Sequence, residues 1–238
     1  MRQWMIAGKE LLFPQSCLGC LQPVTGTGKA LCAGCLEGVA LIGSPKCPAC
    51  GKELDASVAG DHLCGSCLRK RPPFSTAYAV AHYQEPVSTF LHKLKYDGDL
   101  SVLPALQAIV ELGLPVTLTK EDRVIPVPLH LQRLRRRGFN QAVLIARLFF
   151  PDKKDLIMVD SLQRIRHTEP QTGLDGTARR KNLHNAFMVS ERDAIRGRRV
   201  VLVDDVFTTG TTAAACSRAL LEGGARDVHV LTVARVRS

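Results

Sequence analysis

The chain has 238 residues, which at about 150 residues per domain gives one large or two modest domains. The composition is 45% hydrophobic and 23% charged, ordinary for a soluble globular protein with a core, and no stretch approaches the ~20 uninterrupted apolar residues of a membrane span. Lysine and arginine (32) exceed aspartate and glutamate (22), and this net charge of +10 favours polyanionic partners such as phosphates or nucleic acid.

The pattern of residues 1–13 predicts an amphipathic N-terminal helix that packs on the body of the protein. Lys9 and Glu10 interrupt the apolar residues too early for the hydrophobic region of a secretory signal, and no small-residue cleavage site follows. We therefore expect a cytoplasmic protein.

Eight of the nine cysteines form four Cys-x-x-Cys pairs, separated by 11, 11 and 13 residues. Two thiolates on a tight turn span one edge of a zinc tetrahedron, and a second pair across a short hairpin completes it. Disulfides would suit a secreted module and redox pairs a βαβ unit, and we find neither an export signal nor that context. Four thiolates leave no open position, so the pattern predicts structural zinc, with two ions favoured over one. The predicted ligands are Cys17, Cys20, Cys32, Cys35, Cys47, Cys50, Cys64 and Cys67.

The four pairs can share the ions in two ways. Sequential ribbons would group 17/20 with 32/35 and 47/50 with 64/67, whereas a cross-brace would interleave the pairs. We favour the sequential arrangement because residues 42–45, Ile-Gly-Ser-Pro, look like a linker between two halves. Residues 14–72 have little apolar mass, so metal binding would hold this double ribbon together. Cys216 stands apart on a late helix and is predicted to be a core residue.

From residue 73 onwards the pattern alternates between strands and helices. We predict strands at 75–83, 123–129, 155–165, 186–190, 200–205 and 227–236, and helices at 86–99, 100–113, 139–150 and from 211 to a stop at Gly223 and Gly224. Asn140 is placed to cap the third of these helices. This alternation predicts an α/β fold with a mainly parallel sheet over residues 73–238.

Residues 200–212, VVLVDDVFTTGTT, place two carboxylates and then a hydroxyl-rich loop at the end of a buried strand. Ligands of such sheets bind at the carboxyl ends of the strands. Unpaired amides at the start of the next helix suit a phosphate, and Gly210 allows close approach of the backbone. Vicinal carboxylates would accept hydrogen bonds from a diol such as a ribose. A chance Asp-Asp turn before a threonine-capped helix is the structural alternative. A Walker-type site is excluded because its motif does not occur.

The same segment resembles the phosphoribosyl pyrophosphate (PRPP) motif of type I phosphoribosyltransferases. The resemblance implies that Asp204 and Asp205 hold the ribose hydroxyls. It also implies that the following loop binds PRPP, chiefly its 5′-phosphate, through Val206, Phe207, Thr208, Thr209, Gly210, Thr211 and Thr212.

Further segments extend the resemblance over nearly the whole chain. With the Cys pairs, the stretches HKLKYDGD (92–99), VPLHLQRLRRRGFNQA (127–142), RHTEPQTGL (166–174) and RRKN (179–182) resemble the ComF/GntX family. That family couples a double zinc ribbon to a domain of type I phosphoribosyltransferase fold. The resemblance implies a role in DNA uptake, natural competence or use of external DNA. The chain departs from the family pattern at Asp175, Gly176 and Ala178, which would cost the mobile loop one basic contact.

The basic segments fit this reading. Arginines 133, 135, 136 and 137 lie between a short strand and a helix, where the type I fold faces the pyrophosphate of PRPP, and we favour Arg137 over a purely solvated run. The Gly- and Pro-containing stretch at 164–182 suits a mobile loop that closes over a polyphosphate. Its family-matching residues are Arg166, Thr168, Gln171, Arg179 and Asn182, whereas His167 is taken as merely exposed. Lys93, Lys95 and Tyr96 lie where this fold places a hood over the base.

Two functions remain open at this stage. One is displacement of pyrophosphate from PRPP by a nitrogen nucleophile, with Mg²⁺ on the pyrophosphate. The alternative is a non-catalytic scaffold that binds single-stranded DNA. The excess of basic residues supports the scaffold, and the 5% aromatic content argues against it because stacking usually supplies much of single-strand affinity.

Overall fold

The computed structural model describes residues 15–24, 29–57, 60–113, 116–166 and 186–237. Its main sheet has the strand order β1-β6-β5-β2, and all of its neighbouring strands are parallel. These strands are β1 (Thr76–His82), β2 (Arg123–Pro126), β5 (Arg199–Phe207) and β6 (Asp227–Arg235). The predicted α/β architecture is therefore observed, and the predicted N-terminal helix at 1–13 lies outside the described residues.

The central strand β5 separates two halves of the core. Val201 and Val203 belong to one apolar cluster, together with Leu106 and Ile145. Val200 and Leu202 belong to the other cluster. This split follows from the two-residue period of a strand, and a strand covered on both faces reads as a continuous apolar run.

Helices cover both faces of the sheet. The first cluster is packed by α3 (Val87–His92), α4 (Leu103–Glu111) and α6 (Gln141–Phe149), and the second by α8 (Thr211–Glu222). Asn140 caps α6 as predicted, since its side chain accepts a hydrogen bond from the amide of Ala142. Cys216 on α8 is fully buried, as predicted for a core residue. Short helices α1 (Ala33–Glu37), α2 (Gly65–Arg69), α5 (Leu131–Arg137) and α7 (Arg192–Ile195) complete the described α-helices.

The predicted strand at 155–165 is largely wrong. A 3₁₀ turn at Lys154–Leu156 and a single bridge from Ile157 to Val124 occupy its first half. Only β3 (Leu162–Arg164) is a strand, and it pairs antiparallel with β4 (Phe187–Val189) in a separate two-stranded sheet. The hydroxyl of Ser161 donates a hydrogen bond to the carboxylate of Glu191, and the hydroxyl of Ser190 donates to the carbonyl of Asp160. These bonds join the two strands at the end of the small sheet where β3 begins and β4 ends.

The segment predicted as a linker contacts the main sheet. Leu41 forms an antiparallel bridge with Ala81, and the amide of Ile42 donates to the carbonyl of Val80 at 3.1 Å. The amide of Ala77 in turn donates to the carbonyl of Ala49 at 2.9 Å. The ribbons therefore satisfy the outer edge of β1, which would otherwise present unpaired backbone groups.

The cysteines form two tetrads, and their grouping is the sequential one. The sulfur atoms within each tetrad lie within 4.8 Å of one another. The Sγ atoms of Cys20 and Cys32 are 3.7 Å apart, and those of Cys50 and Cys64 are also 3.7 Å apart. A zinc tetrahedron with Zn–S bonds of about 2.3 Å has edges of about 3.8 Å, so both tetrads fit structural zinc. The tetrads are Cys17, Cys20, Cys32, Cys35 and Cys47, Cys50, Cys64, Cys67.

Backbone amides stabilise the thiolate of Cys17 in the first tetrad. The amides of Gly19 and Cys32 donate to the Sγ of Cys17 at 3.4 and 3.3 Å. Burial alone would raise the pKa of the Cys17 thiol, but these amide hydrogen bonds and that of Cys20 lower it to about 6. The thiolate form that binds metal is thus favoured.

Among the described residues, no helix combines the length and apolar character that a membrane crossing requires.

Metal removal tests the role of the tetrads. Native protein should contain about two zinc ions per chain, and chelation should abolish amide-exchange protection in residues 15–70, because metal binding worth about 10–16 kcal/mol per site holds such modules folded. The central strand β5 should stay protected. Metal analysis by mass spectrometry and hydrogen exchange provide the readouts.

Two cysteine variants make this test specific. Cys47→Ser should reduce the zinc content to about one ion per chain, since it breaks one tetrad of four thiolates. Cys216→Ala should leave the zinc content unchanged. Zinc-free native protein, or equal zinc loss in both variants, would show that the tetrads are not metal sites.

Candidate functional site

Two adjacent carboxylates lie near the carboxyl end of the central strand. Asp204 and Asp205 are inside β5, which continues to Phe207, two residues beyond the predicted end. Asp205 is buried, with a relative exposure of 4%, whereas Asp204 is partly buried. The amide of Asp205 donates to Oδ1 of Asp204 at 2.9 Å, and the amide of Val206 donates to Oδ1 of Asp205 at 3.0 Å. The strand backbone therefore fixes the orientation of both carboxylates.

Lys95 provides the positive partner of this acid pair. Its Nζ lies 2.8 Å from Oδ2 of Asp205. Lys95 sits on a π-helical turn, Lys93–Asp97, that follows α3 and ends at Gly98 in the left-handed conformation. Such π-helical turns are rare in proteins, and those that occur often lie at functional sites. The resemblance implied that Lys95 belongs to a hood over the base, and the structure adds a direct contact with the acid pair.

The two acids differ in their proton affinity. Burial raises the pKa of Asp204 well above its ordinary value, and the charge of Asp205 raises it further. Burial alone would also raise the pKa of Asp205, but the charge and the hydrogen bond of Lys95 hold it below the ordinary value. Asp205 is thus the ionised member of the pair, and Asp204 retains its proton more readily.

The hydroxyl-rich loop connects β5 to α8. Gly210 has φ of 73° and precedes the first residue of α8. A Cβ at this position would lie 2.7 Å from the ring of Phe207, so both the backbone conformation and the space require glycine. The hydroxyls of Thr209 and Thr211 are 2.7 Å apart. The amides at the start of α8 have no carbonyl partner within the helix and can bind an anion.

A small cavity joins the acids to this loop. Its volume is about 30 Å³, and its lining includes Asp204, Thr208, Gly210 and Thr212. A water molecule needs about 10–15 Å³ of such space, so the cavity has room for one or two waters, and the loop must shift to admit a phosphate. Asp204 and the predicted phosphate-binding loop therefore line one space, and Asp205 lies outside its lining.

Phe207 has a packing role beneath the loop. Its side chain is buried, and its ring meets that of Phe74 edge-on at 6.1 Å between centroids. The guanidinium of Arg235 lies 4.9 Å from the centre of the Phe207 ring and donates a hydrogen bond to the carbonyl of Cys50. Arg235 thereby connects the turn at Cys50, in the second tetrad, to Phe207, which lies beneath the loop.

The arginine-rich segment forms a helix, where the sequence predicted a connection. It is α5, which begins after the capping side chain of His130 and ends at Gly138 in the left-handed conformation. Arg137, at its last position, donates to Oε1 of Gln141 on α6. Burial lowers the pKa of Arg137 and the charge of Asp205 opposes this, so the guanidinium lies within electrostatic range of the acid pair.

Other predicted site residues are placed less directly. Arg166 is exposed at the end of its described segment. Gln171 and Arg179 lie outside the described residues, as do Thr168 and Asn182.

Sequence reasoning missed two arginines near the site, Arg235 and Arg164. Arg164 is partly buried on β3; burial lowers its pKa, and the charge of Asp204 acts in the opposite direction. Its strand period offered a signal, because Arg164 shares a face with the fully buried Leu162. A cation on the inward face of a short strand usually has a specific partner.

Comparison with known proteins assigns both parts of the chain. Residues 9–68 match the double zinc ribbon domain family, and residues 134–238 match the phosphoribosyl transferase domain family. The fold class predicted from the sequence, a phosphoribosyltransferase-type α/β domain preceded by a double zinc ribbon, is confirmed.

Several curated relatives cover most of the chain. The DNA utilization protein YhgH of Escherichia coli O157:H7 is 36% identical over 72% of this chain and 77% of its own length. Competence protein F of Haemophilus influenzae is 33% identical, covering 78% of this chain and 82% of its own length. The chain therefore belongs to the ComF/GntX family, as the sequence motifs predicted.

More distant relatives are also found. Competence protein ComFC of Bacillus subtilis is 29% identical over 66% of this chain and 63% of its own length. Among solved structures, the glutamine PRPP amidotransferase of B. subtilis with ADP and GMP matches with a TM-score of 0.40 and 19% identity, covering 60% of this chain and 30% of that one.

The Lys95–Asp205 ion pair makes a testable contribution to stability. Lys95→Met should lower the free energy of unfolding near pH 7 by about 2–3 kcal/mol, because it leaves a buried carboxylate without its partner. The loss should shrink towards about pH 4, since Asp205 without Lys95 takes up a proton readily and the variant then loses stability as pH rises. Urea unfolding at the two pH values measures this.

Lys93→Met is the matched control, because Lys93 lies on the same turn and is exposed. It should change stability by less than about 0.5 kcal/mol. An equal loss in both variants, or a loss in Lys95→Met that does not vary with pH, would contradict the ion-pair interpretation.

Proposed function

We propose that the chain binds PRPP or a related phosphoribosyl ligand at the carboxyl end of β5, and that it serves DNA uptake. The observation that carries this proposal is the Asp204–Asp205 pair beside the glycine- and threonine-rich loop, with Asp204 and the loop lining one cavity. The names of the relatives, competence protein F and DNA utilization protein, support the role in DNA uptake.

The acid pair suits the sugar. Carboxylate oxygens of Asp204 and Asp205 would accept hydrogen bonds from the 2′- and 3′-hydroxyls of a ribose. Hydrogen bonds to an ionised acceptor are roughly twice as strong as neutral ones, and burial strengthens them further. Lys95 would keep Asp205 ionised for this purpose.

The loop and Arg137 suit the two anionic ends of PRPP. The amides at the start of α8, together with the hydroxyls of Thr208, Thr209, Thr211 and Thr212, would hold the 5′-phosphate. Arg137, within range of Asp205, would contact the pyrophosphate, as would Arg166, Gln171 and Arg179 if their segment closes over the ligand. Mg²⁺ would neutralise the pyrophosphate during transfer.

A transfer reaction on this site needs no covalent step with the protein. A nitrogen nucleophile would form a bond to C1′ of the ribose as the bond from C1′ to the pyrophosphate oxygen breaks, and pyrophosphate would leave with the electron pair. The protein would position the sugar and stabilise charge. Tyr96, 63% exposed and stacked on His92 with centroids 4.6 Å apart, offers an aromatic surface to an acceptor base.

A non-catalytic scaffold for single-stranded DNA is the second candidate. It is favoured by α5, in which Arg135 and Arg136 are exposed and no residue is buried. A cationic helix next to a sugar-phosphate site can contact the backbone of a strand. The same acid pair and loop would then hold the 3′-terminal sugar of that strand, whose 3′-hydroxyl is free.

Thermal unfolding with PRPP and Mg²⁺ tests the proposal. At ~100 times its Kd, PRPP should raise the melting temperature by about 5–10 °C, because a ligand of the native state adds about 2.7 kcal/mol of stability. Asp204→Asn should lose most of this shift.

Asp193→Asn is the control, since Asp193 is a carboxylate on α7 with a side chain 95% exposed. It should keep the full shift. The proposal fails if wild-type protein shows no shift, or if Asp204→Asn responds as strongly as Asp193→Asn.

A further inference from the structure

A second and larger groove lies on the far side of the loop. We call it the ribbon groove; its volume is about 650 Å³, within the range of about 300–1,000 Å³ usual for ligand sites. One wall is the second ribbon, including residues 64, 66, 67 and 70–74. The other wall is the loop from Thr208 to Thr211 and the first turns of α8.

The ribbon groove is strongly basic. Among the described residues that line it, five are lysine or arginine and none is acidic: Lys52, Lys70, Arg71, Arg218 and Arg235. A zinc ion with four thiolates carries a net charge of about −2, so the groove keeps an excess of positive charge when the second tetrad is loaded. Lys70, Arg71 and Arg218 are exposed and free to meet a ligand at the surface. The groove therefore suits a polyanion.

The loop separates the ribbon groove from the acid pair. Thr208 and Gly210 line both the groove and the small cavity that contains Asp204. A sugar on the acids with its 5′-phosphate at the loop would therefore present that phosphate at the mouth of the groove. A terminal phosphate would end there, whereas a phosphodiester would lead the chain into the groove.

We infer that the ribbon groove binds the phosphodiester chain on the 5′ side of the sugar held by Asp204 and Asp205. This inference rests on the proposed binding of a phosphoribosyl group at the acid pair. The site would then accept the 3′-terminal nucleotide of a single strand, whose 3′-hydroxyl is free, as well as a free phosphoribosyl ligand.

The groove reads the backbone of the strand. The aromatic rings among its described lining residues are Phe74 and Phe207, which are buried and packed edge-on against each other. Bases therefore find no open ring for stacking in this part of the protein. Binding is dominated by charge, is independent of sequence and weakens steeply with salt.

A double variant separates the groove from the sugar site. Lys70→Ala/Arg71→Ala should weaken binding of an oligothymidylate of about 12 nucleotides, labelled at its 5′ end so that the 3′-hydroxyl stays free, by on the order of tenfold. It should also reduce the log–log salt slope of binding by about 1.4, since each lost phosphate contact removes about 0.7. PRPP should bind this variant within about twofold of wild type, and PRPP should displace the oligonucleotide from wild-type protein. Fluorescence anisotropy and calorimetry provide the measurements.

Arg196→Ala/Arg226→Ala is the matched control, because both arginines are exposed and line a separate cavity with residues at the start of β5. It removes the same charge and should leave the salt slope unchanged. Zinc content and melting temperature verify that each variant is folded.

Each remaining outcome has a distinct meaning. Equal weakening by the two double variants would overturn the inference, because net charge alone would then explain binding. If PRPP binds the wild-type protein but does not displace the oligonucleotide, the inference is also overturned, since the strand would not end at the acid pair. If wild-type protein binds no PRPP while the groove variant alone loses the oligonucleotide, the groove is supported and the phosphoribosyl proposal fails.

Discussion

The arrangement of the site depends on one costly constraint, two adjacent carboxylates at the end of a buried parallel strand. A strand directs successive side chains to opposite faces, yet the fold keeps Asp205 buried and Asp204 beside a cavity. Burying one charge is affordable here because Lys95 reaches it from a π-helical turn at 2.8 Å. Among the described residues, the charge of Asp204 has no such direct ion-pair partner, and its pKa is therefore raised by burial and by the neighbouring charge of Asp205. Packing alone gives no reason for such a pair, whereas a ligand with two hydroxyls does.

The ribbons and the sheet form a continuous structure at this site. Backbone pairing of residues 40–42 covers the edge of β1, and the carbonyl of Cys50 accepts a hydrogen bond from Arg235 at the end of β6. Arg235 packs on Phe207, whose ring fills the space beneath Gly210. Metal in the second tetrad would therefore stabilise the turn that positions the loop after β5, although its four sulfur ligands leave it no chemical part in a reaction.

Local sequence signals predicted the features whose residues lie close together along the chain. The Cys-x-x-Cys pairs predicted the tetrads, Asn140 predicted a helix start, and the apolar run before Asp204 predicted the central strand. The 155–165 prediction failed because its apolar residues are used singly, by a bridge at Ile157 and a short hairpin at Leu162, which periodicity does not reveal. Lys95, Arg164 and Arg235 were misplaced or missed for another reason. Their partners are distant in sequence, and only the strand order brings them together.

The position of the loop gives the two candidate functions a common physical basis. On one side Thr208 and Gly210 face the acid that would hold a sugar, and on the other they face a basic groove built by the ribbon. An enzyme that uses only PRPP has no need of positive charge beyond the 5′-phosphate, since that phosphate is terminal. A protein that handles a strand does need it, because every sugar in the strand carries a phosphodiester on its 5′ side. The ribbon would thus extend the proposed phosphosugar site into a surface that can follow a chain.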